Sequence, residues 1–277
     1  MKRILLTGAR GFVGARIREE LSVIEAPSLR GATEDDVARL IGEAEPEVIL
    51  HTAAISDIGA CARDPEGSYH ANVELPLYFA RHAGGAKLVA FSSDQVYSGL
   101  GTPGPYREEE TAAANLYAEE KLEMEARVLE ANPDAVLLRA TWMYDMPLCR
   151  AANRGNFLVN LLRAAVTRTP VTFSERQYRG LTYVREVARN MEAAARLTGG
   201  VYNFGSENTM SMAETARFFF SALGVEVPVR TPAADAPIPH NLWMDCARAR
   251  AGGVAFSDTA GGLRRCIEEY SLRLLVG

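Results

Sequence analysis

A chain of 277 residues, 48% of them hydrophobic and 23% charged, holds enough apolar mass for one large domain or two small ones and is too apolar for a disordered segment. Its formal net charge of −5 gives no basic footprint for nucleic acid or an anionic membrane surface, and no apolar run approaches the roughly 18 residues of a membrane span. Cys61, Cys149, Cys246 and Cys266 make no C-x-x-C pair, and His51, His70, His82 and His240 lack metal-ligand spacing, so free thiols, no metal and a reducing, cytoplasmic compartment are expected.

The apolar stretch Ile4–Leu6 is too short for a signal peptide and opens instead a buried strand over Arg3–Thr7. Further strands are predicted over Ser22–Glu25, Glu47–His51, Lys87–Ser92 and Ala135–Arg139, alternating with helices over Gly11–Leu21, Thr33–Glu43, Pro65–Ala83 and Asn115–Ala131. Pro46 and Pro133 punctuate the pattern, and Asn115 can cap the helix it opens. Strand–helix alternation predicts an α/β fold with a doubly wound parallel sheet. Beyond it, helices are expected over Asn156–Val166, Val187–Leu197, Met212–Leu223 and Leu263–Leu275, a strand over Gly200–Phe204 and a loop over Thr231–Pro239. No repeat or clean linker is visible. The division expected is a first domain over 1–150, with parts of 180–205 returning to it, and a smaller interleaved α+β domain from about 151–180 and 206–277.

The first strand runs into Thr7-Gly8-Ala9-Arg10-Gly11-Phe12-Val13-Gly14 and then a helix. Glycines at Gly8, Gly11 and Gly14 let backbone turn tightly and approach a pyrophosphate, which the helix N-terminus attracts through its free N–H groups. A tight structural turn is the alternative. If a dinucleotide binds, Glu25 at the end of the second strand can take the adenosine ribose hydroxyls and favour NAD, whereas Arg10 and Arg30 can take a 2′-phosphate. Two cations against one carboxylate tip the expectation towards NADP.

Tyr117 and Lys121 stand at i and i+4 of a predicted helix and share a face. Ser93 ends the fourth strand, at the edge where open α/β sheets bind ligands. A carbonyl that accepts hydride develops negative charge on oxygen; a phenol can protonate it and a serine hydroxyl can hydrogen-bond it. The Lys121 ammonium is expected to draw the Tyr117 phenol below its ordinary pKa of about 10.

The G-x-x-G-x-x-G turn, Val48-Ile49-Leu50-His51-Thr52-Ala53-Ala54, Asn72-Val73 and Arg179–Val187 together resemble the extended short-chain dehydrogenase/reductase family. The resemblance implies a Rossmann sheet, Ala53, Ala54 and Asn72 in the dinucleotide site, Lys121 on the nicotinamide ribose, and Ser93, Tyr117 and Lys121 as the catalytic set. Ser92-Ser93-Asp94-Gln95-Val96-Tyr97-Ser98-Gly99 is similar to the S-T-D-Y-V-F-D-G of the dTDP-4-dehydrorhamnose reductases, as are Pro105, Tyr106 and Glu108 to their Pro-Tyr-x-Glu step and Leu138-Arg139-Ala140-Thr141-Trp142-Met143-Tyr144 to their L-R-T-S-W-V-Y. Asn156-Phe157 is a further landmark. Gln177, Tyr178 and Thr182 match their Q-Y-G-x-P-T, with Arg179 and Leu181 replacing Gly and Pro.

That resemblance implies reduction of a keto group on a nucleotide-activated sugar, with Ser93, Asp94, Gln95, Asn156 and Arg179 facing the substrate and room for a homodimer. Two other readings stay open: an epimerase on the same scaffold, and a non-catalytic dinucleotide-binding regulatory subunit. Glu120 departs from the serine usual before the lysine. Gln95 stands where dehydratases of the family carry an acid–base glutamate, so dehydration is not expected. Arg179 suits either a substrate phosphate or a structural carboxylate, and Asp145 either substrate or a loop contact before Pro147.

Overall fold

The computed structural model describes residues 2–147, 156–232 and 241–276. Cys149, His240, the expected boundary at 150/151 and residues 233–239 of the expected loop lie outside the described residues. The chain begins β1 (Ile4–Thr7), α1 (Phe12–Glu20), β2 (Ile24–Glu25), α2 (Glu34–Ala44), β3 (Val48–His51), α3 (Ile58–Arg63) and α4 (Pro65–Tyr69). A π-helical turn (His70–Glu74) follows, then α5 (Leu75–His82), β4 (Lys87–Ser93), a 3-10 turn (Asp94–Tyr97), α6 (Leu116–Ala131) and β5 (Val136–Ala140). The remainder is β6 (Trp142–Tyr144), α7 (Phe157–Thr167), β7 (Val171–Thr172), β8 (Leu181–Tyr183), α8 (Val184–Arg189), α9 (Met191–Ala194), β9 (Gly200–Phe204), α10 (Met212–Leu223), β10 (Val229–Arg230), α11 (Ala247–Ala251), α12 (Thr259–Glu269) and a 3-10 turn (Leu272–Leu275).

Six strands form one parallel sheet in the order β2-β1-β3-β4-β5-β9. Their near-continuous apolar runs suit strands covered on both faces. Alternate residues point to opposite sides: Leu6, Leu50, Val89 and Leu138 meet Ile17 of α1 and Val187 and Met191 of α8 and α9. Leu5, Ile49, Leu88 and Leu137 meet Val37 of α2, Phe79 of α5 and Met124 of α6. The doubly wound expectation is thereby met. Strand order reverses at β1, between β2 and β3, so the carboxyl ends of β1 and β3 open a crevice.

A separate apolar cluster joins Tyr144, Phe157 and Leu161 of α7, Leu181 and Tyr183 of β8, Phe219 and Phe220 of α10, and Leu263 of α12. Two small parallel sheets, β6-β8 and β10-β7, lie outside the main sheet. These strands of two or three residues were not expected, because so short a run carries no readable alternation. The helix expected over Pro65–Ala83 is interrupted by the π-turn, and that over Val187–Leu197 starts earlier and splits into α8 and α9.

One buried ion pair ties the parts together. Arg16 of α1 contacts Asp145, just past β6, through Nε, and its Nη2 donates to the Met146 carbonyl at 2.6 Å. Burial pushes the Asp145 carboxyl up in pKa while Arg16 opposes the shift. Asp145 is thus engaged in a structural contact. Among the described residues, no helix is long and apolar enough to cross a membrane.

Candidate active site

The crevice at the end of β1 and β3 is a cleft of about 1040 Å³. Gly8 sits at φ +67°, and a Cβ there would lie 2.8 Å from Thr52 Oγ1 and 2.9 Å from Ala53 N. A Cβ on Gly14 would lie 2.2 Å from the Gly8 carbonyl oxygen. The turn therefore has to be bare backbone, packed directly on the segment after β3. Thr7 locks the two strand ends: its Oγ1 accepts from Thr52 N at 3.2 Å and Ala53 N at 3.3 Å and is 3.1 Å from His51 Nδ1. Burial, with Lys121 nearby, pushes His51 down to about 3, so this imidazole is neutral.

Gly8, Arg10, Gly11, Glu25, Arg30, Ala53 and Ala54 all line the cleft. Arg10, Glu25 and Arg30 are exposed, and Arg18 Nη1 donates to Glu25 at 3.2 Å. Phe12 and Val13 instead pack beneath the turn against the sheet. Asn72 is buried behind the cleft wall: its Oδ1 accepts from Ile55 N at 3.0 Å and its Nδ2 donates to Ile55 O at 2.9 Å. The size of the cleft, the glycine cradle and the flanking charges fit a dinucleotide.

Beside the cleft, β4 and α6 bring Ser93, Tyr117 and Lys121 together. Asn115 caps α6, accepting from Ala118 N at 3.0 Å, which fixes the first turn that carries Tyr117. The Ser93 hydroxyl lies close enough to the Tyr117 phenol to oppose the rise in its pKa, and Ser93 Oγ accepts from Gln95 N at 3.2 Å. Lys121 Nζ donates to the Phe91 carbonyl at 3.0 Å and stands 5.8 Å from the Tyr117 ring centroid. Burial pushes Lys121 down to about 8, opposed by Glu125 and Glu120. Glu125 is itself held by Arg139, at 2.9 and 2.6 Å, and by Ser92 at 2.5 Å.

One expectation is reversed. Tyr117 is not drawn below the ordinary phenol range. Burial pushes it up; the nearby Ser93 hydroxyl opposes the rise, while Asp94, Cys61 and Glu120 add to it. In this geometry the phenol holds its proton through neutrality.

Next to Ser93 in the chain, Asp94 Oδ2 takes a hydrogen bond from Arg179 Nη2 at 2.6 Å, and the guanidinium lies 4.9 Å from the Trp142 ring centroid. Arg179 thus has a carboxylate partner in this structure. Gln95 Oε1 is 3.5 Å from Asn115 Nδ2. Asn156 is taken up internally: it caps α7 by accepting from Val159 N at 3.3 Å and donates to Asp145 O at 2.8 Å. Sequence reasoning gave no role to Trp142, Ser68 or Cys61. Trp142 stood inside a quoted motif, whereas Ser68 and Cys61 carry no pattern to find them by.

A sequence profile of the RmlD substrate binding domain matches residues 1–272. The chain is similar to a dTDP-4-dehydrorhamnose reductase of Burkholderia thailandensis, 29% identical over 297 residues that span 99% of this chain and 97% of that protein. It is also similar to methionine adenosyltransferase 2 subunit beta of Danio rerio, 25% identical over 285 residues, 93% of this chain and 87% of that protein. Among solved structures, the dTDP-4-dehydrorhamnose reductase of Bacillus anthracis in complex with NADP shares the fold at a TM-score of 0.84, with 23% identity over 97% of this chain and 99% of that one.

Proposed function

Because the chain belongs to the RmlD substrate binding domain family, we propose that it is an NAD(P)H-dependent reductase of a keto group on a nucleotide-activated sugar. The observation that carries this reading is the meeting of Ser93, Tyr117 and Lys121 at the carboxyl end of β4, beside a cleft shaped for a dinucleotide. The dinucleotide, when bound, supplies the hydride. Gly8, Gly11 and Gly14 would admit its pyrophosphate to backbone N–H groups, and Lys121 would hold the nicotinamide ribose.

The residues then divide the proton work. Ser93 hydrogen-bonds the carbonyl oxygen and orients it towards Tyr117, which gives up its proton as negative charge develops there. A buried phenol that keeps its proton at neutral pH suits the donor role better than the base role, so its raised pKa supports reduction as the working direction. Lys121 supplies positive charge close to the oxygen, which lowers the cost of the phenolate left behind. Arg10 and Arg30 at the cleft rim favour NADP over NAD, against Glu25. Residues 1–150, with parts of 180–205, would bind the dinucleotide, and about 151–180 and 206–277 would shape the sugar site. Gln95 supplies no acid–base carboxyl, so no elimination is expected.

A panel of nucleotide-linked keto-sugars with NADPH or NADH, followed by nicotinamide absorbance, tests the proposal. Oxidation of the cofactor with one such sugar supports it; none with any member of the panel refutes it. The match to methionine adenosyltransferase 2 subunit beta favours a second reading, a dinucleotide-binding subunit without turnover of its own. That reading is left standing by dinucleotide binding with no oxidation. An epimerase would instead retain its dinucleotide through purification and interconvert sugars without net oxidation.

A further inference from the structure

Glu120 stands directly before Lys121 on α6, where the family it resembles carries a serine, and it is 2% exposed. Burying a carboxyl group is costly unless its oxygens are used. Its Oε2 accepts from Ser68 Oγ at 2.7 Å and from Asn72 Nδ2 at 2.7 Å. Its Oε1 is buried and has no partner among the described residues. The two donors belong to the segment packed across from α6. Ser68 lies in α4 and Asn72 in the π-turn, and Asn72 Nδ2 is also 3.2 Å from Ser68 Oγ.

These contacts lead directly to the cleft. The Asn72 amide grips Ile55 by both its N–H and its carbonyl, and Ile55, Gly67 and Ala71 are part of the cleft wall. An amide side chain can reach both backbone groups of one residue only if its own plane is fixed. Here Ser68 and Glu120 on one side and Ile55 on the other fix it. Serine at position 120 would be too short to span to Asn72.

We propose that Glu120 is a positioning residue for dinucleotide binding: through Asn72 and Ser68 it sets the Ile55 wall of the cleft and joins that wall to the helix carrying Tyr117 and Lys121. The inference rests on the dinucleotide reading of the cleft and holds whether or not the chain turns over a sugar. Glutamine keeps the shape and one acceptor oxygen, which can take both donors. Alanine leaves the buried Ser68 hydroxyl without its acceptor and the Asn72 amide N–H with only the longer contact to Ser68 Oγ at 3.2 Å.

The test is a titration of wild type, Glu120→Gln, Glu120→Ala and Asn72→Ala with NADPH and NADH, followed by protein fluorescence, with the melting temperature of each dinucleotide-free protein measured alongside. Glu120→Ala is expected to bind at least about tenfold more weakly, the order of effect of orphaning buried donors, and Glu120→Gln to stay within about threefold of wild type. Asn72→Ala should match Glu120→Ala, and the double variant should bind no more weakly than either, because the two act through one network. A purely structural role would lower the melting temperature while leaving the affinity of the folded protein in place. A folded Glu120→Ala with wild-type affinity overturns the proposal. Should Glu120→Ala not fold, Ser68→Ala removes one donor only. It is expected to weaken binding by about fivefold, and unchanged affinity there also overturns the proposal. Wild type that binds neither dinucleotide would overturn the reading of the cleft as well, which separates the two failures.

Discussion

Replacing Lys121 by methionine is expected to make the dinucleotide-free protein slightly more stable at neutral pH and slightly less stable in alkali, while removing its function. Burial draws the Lys121 ammonium from 10.5 to about 8, against Glu125 and Glu120, which pull the other way. Below about 8 the lysine is protonated in both folded and unfolded chains, and the folded chain carries the cost of a buried charge. Between about 8 and 10.5 the unfolded chain binds the extra proton, so wild-type stability rises with pH across that window. The gap corresponds to about 3 kcal/mol. Methionine removes that cost at neutral pH but also loses the 3.0 Å bond to the Phe91 carbonyl, worth about 2 kcal/mol for a charged donor. The variant should therefore gain about 1 kcal/mol near neutrality and lose about 1 kcal/mol near the upper end of the window, where the folded lysine is neutral and its bond is worth that of a neutral donor. Urea unfolding of both proteins at several pH values measures the difference, in which the other titrating groups largely cancel. A difference that stays constant from neutrality to the upper end of the window would refute the claim that Lys121 holds an uncomfortable charge.

Tyr117→Phe removes only the hydroxyl, so dinucleotide affinity should hold while kcat falls by roughly 10²–10⁴-fold; retention of more than about a tenth of turnover with chemistry rate-limiting would exclude the phenol as donor. Because burial raises Tyr117, kcat for reduction should stay level through neutral pH, and a fall centred near neutrality would contradict the electrostatics described above. Gly14→Ala places a methyl 2.2 Å from the Gly8 oxygen and should abolish dinucleotide binding by forcing the turn open, as read by the same fluorescence titration. Arg10→Ala combined with Arg30→Ala should weaken NADPH at least about tenfold and leave NADH nearly unchanged; equal loss for both would remove these arginines from 2′-phosphate recognition.

The sheet was legible because its strands are buried on both faces and so are written as apolar runs: Ile4-Leu5-Leu6, Val48-Ile49-Leu50 and Val136-Leu137-Leu138. The crevice followed from the glycine turn behind the first of them. The short strands around Tyr144 and Tyr183 were not legible, since their identity lies in the pairing of Trp142 with Leu181 and not in any local period. The π-turn at His70–Glu74 escaped for a related reason. Its apolar spacing differs little from that of a helix, and the wider winding shows only in three dimensions, where it places Asn72 against Ile55.

The site divides in the same way. The spacing of Tyr117 and Lys121 on one helix was readable, whereas the partner of Arg179 was not, because Asp94 lies 85 positions away and nothing local marks the pair. The direction of the Tyr117 shift was not legible, because the burial that dominates it exists only in the folded chain. Burial disfavours the charged form of both groups, pushing Lys121 down and Tyr117 up. Such costs collect where a proton has to be held and then released, and an unneeded one is open to removal by any apolar substitution. The burial of Tyr117 and Lys121 is therefore an argument for the proposed turnover that the fold, shared with a methionine adenosyltransferase subunit, does not itself supply.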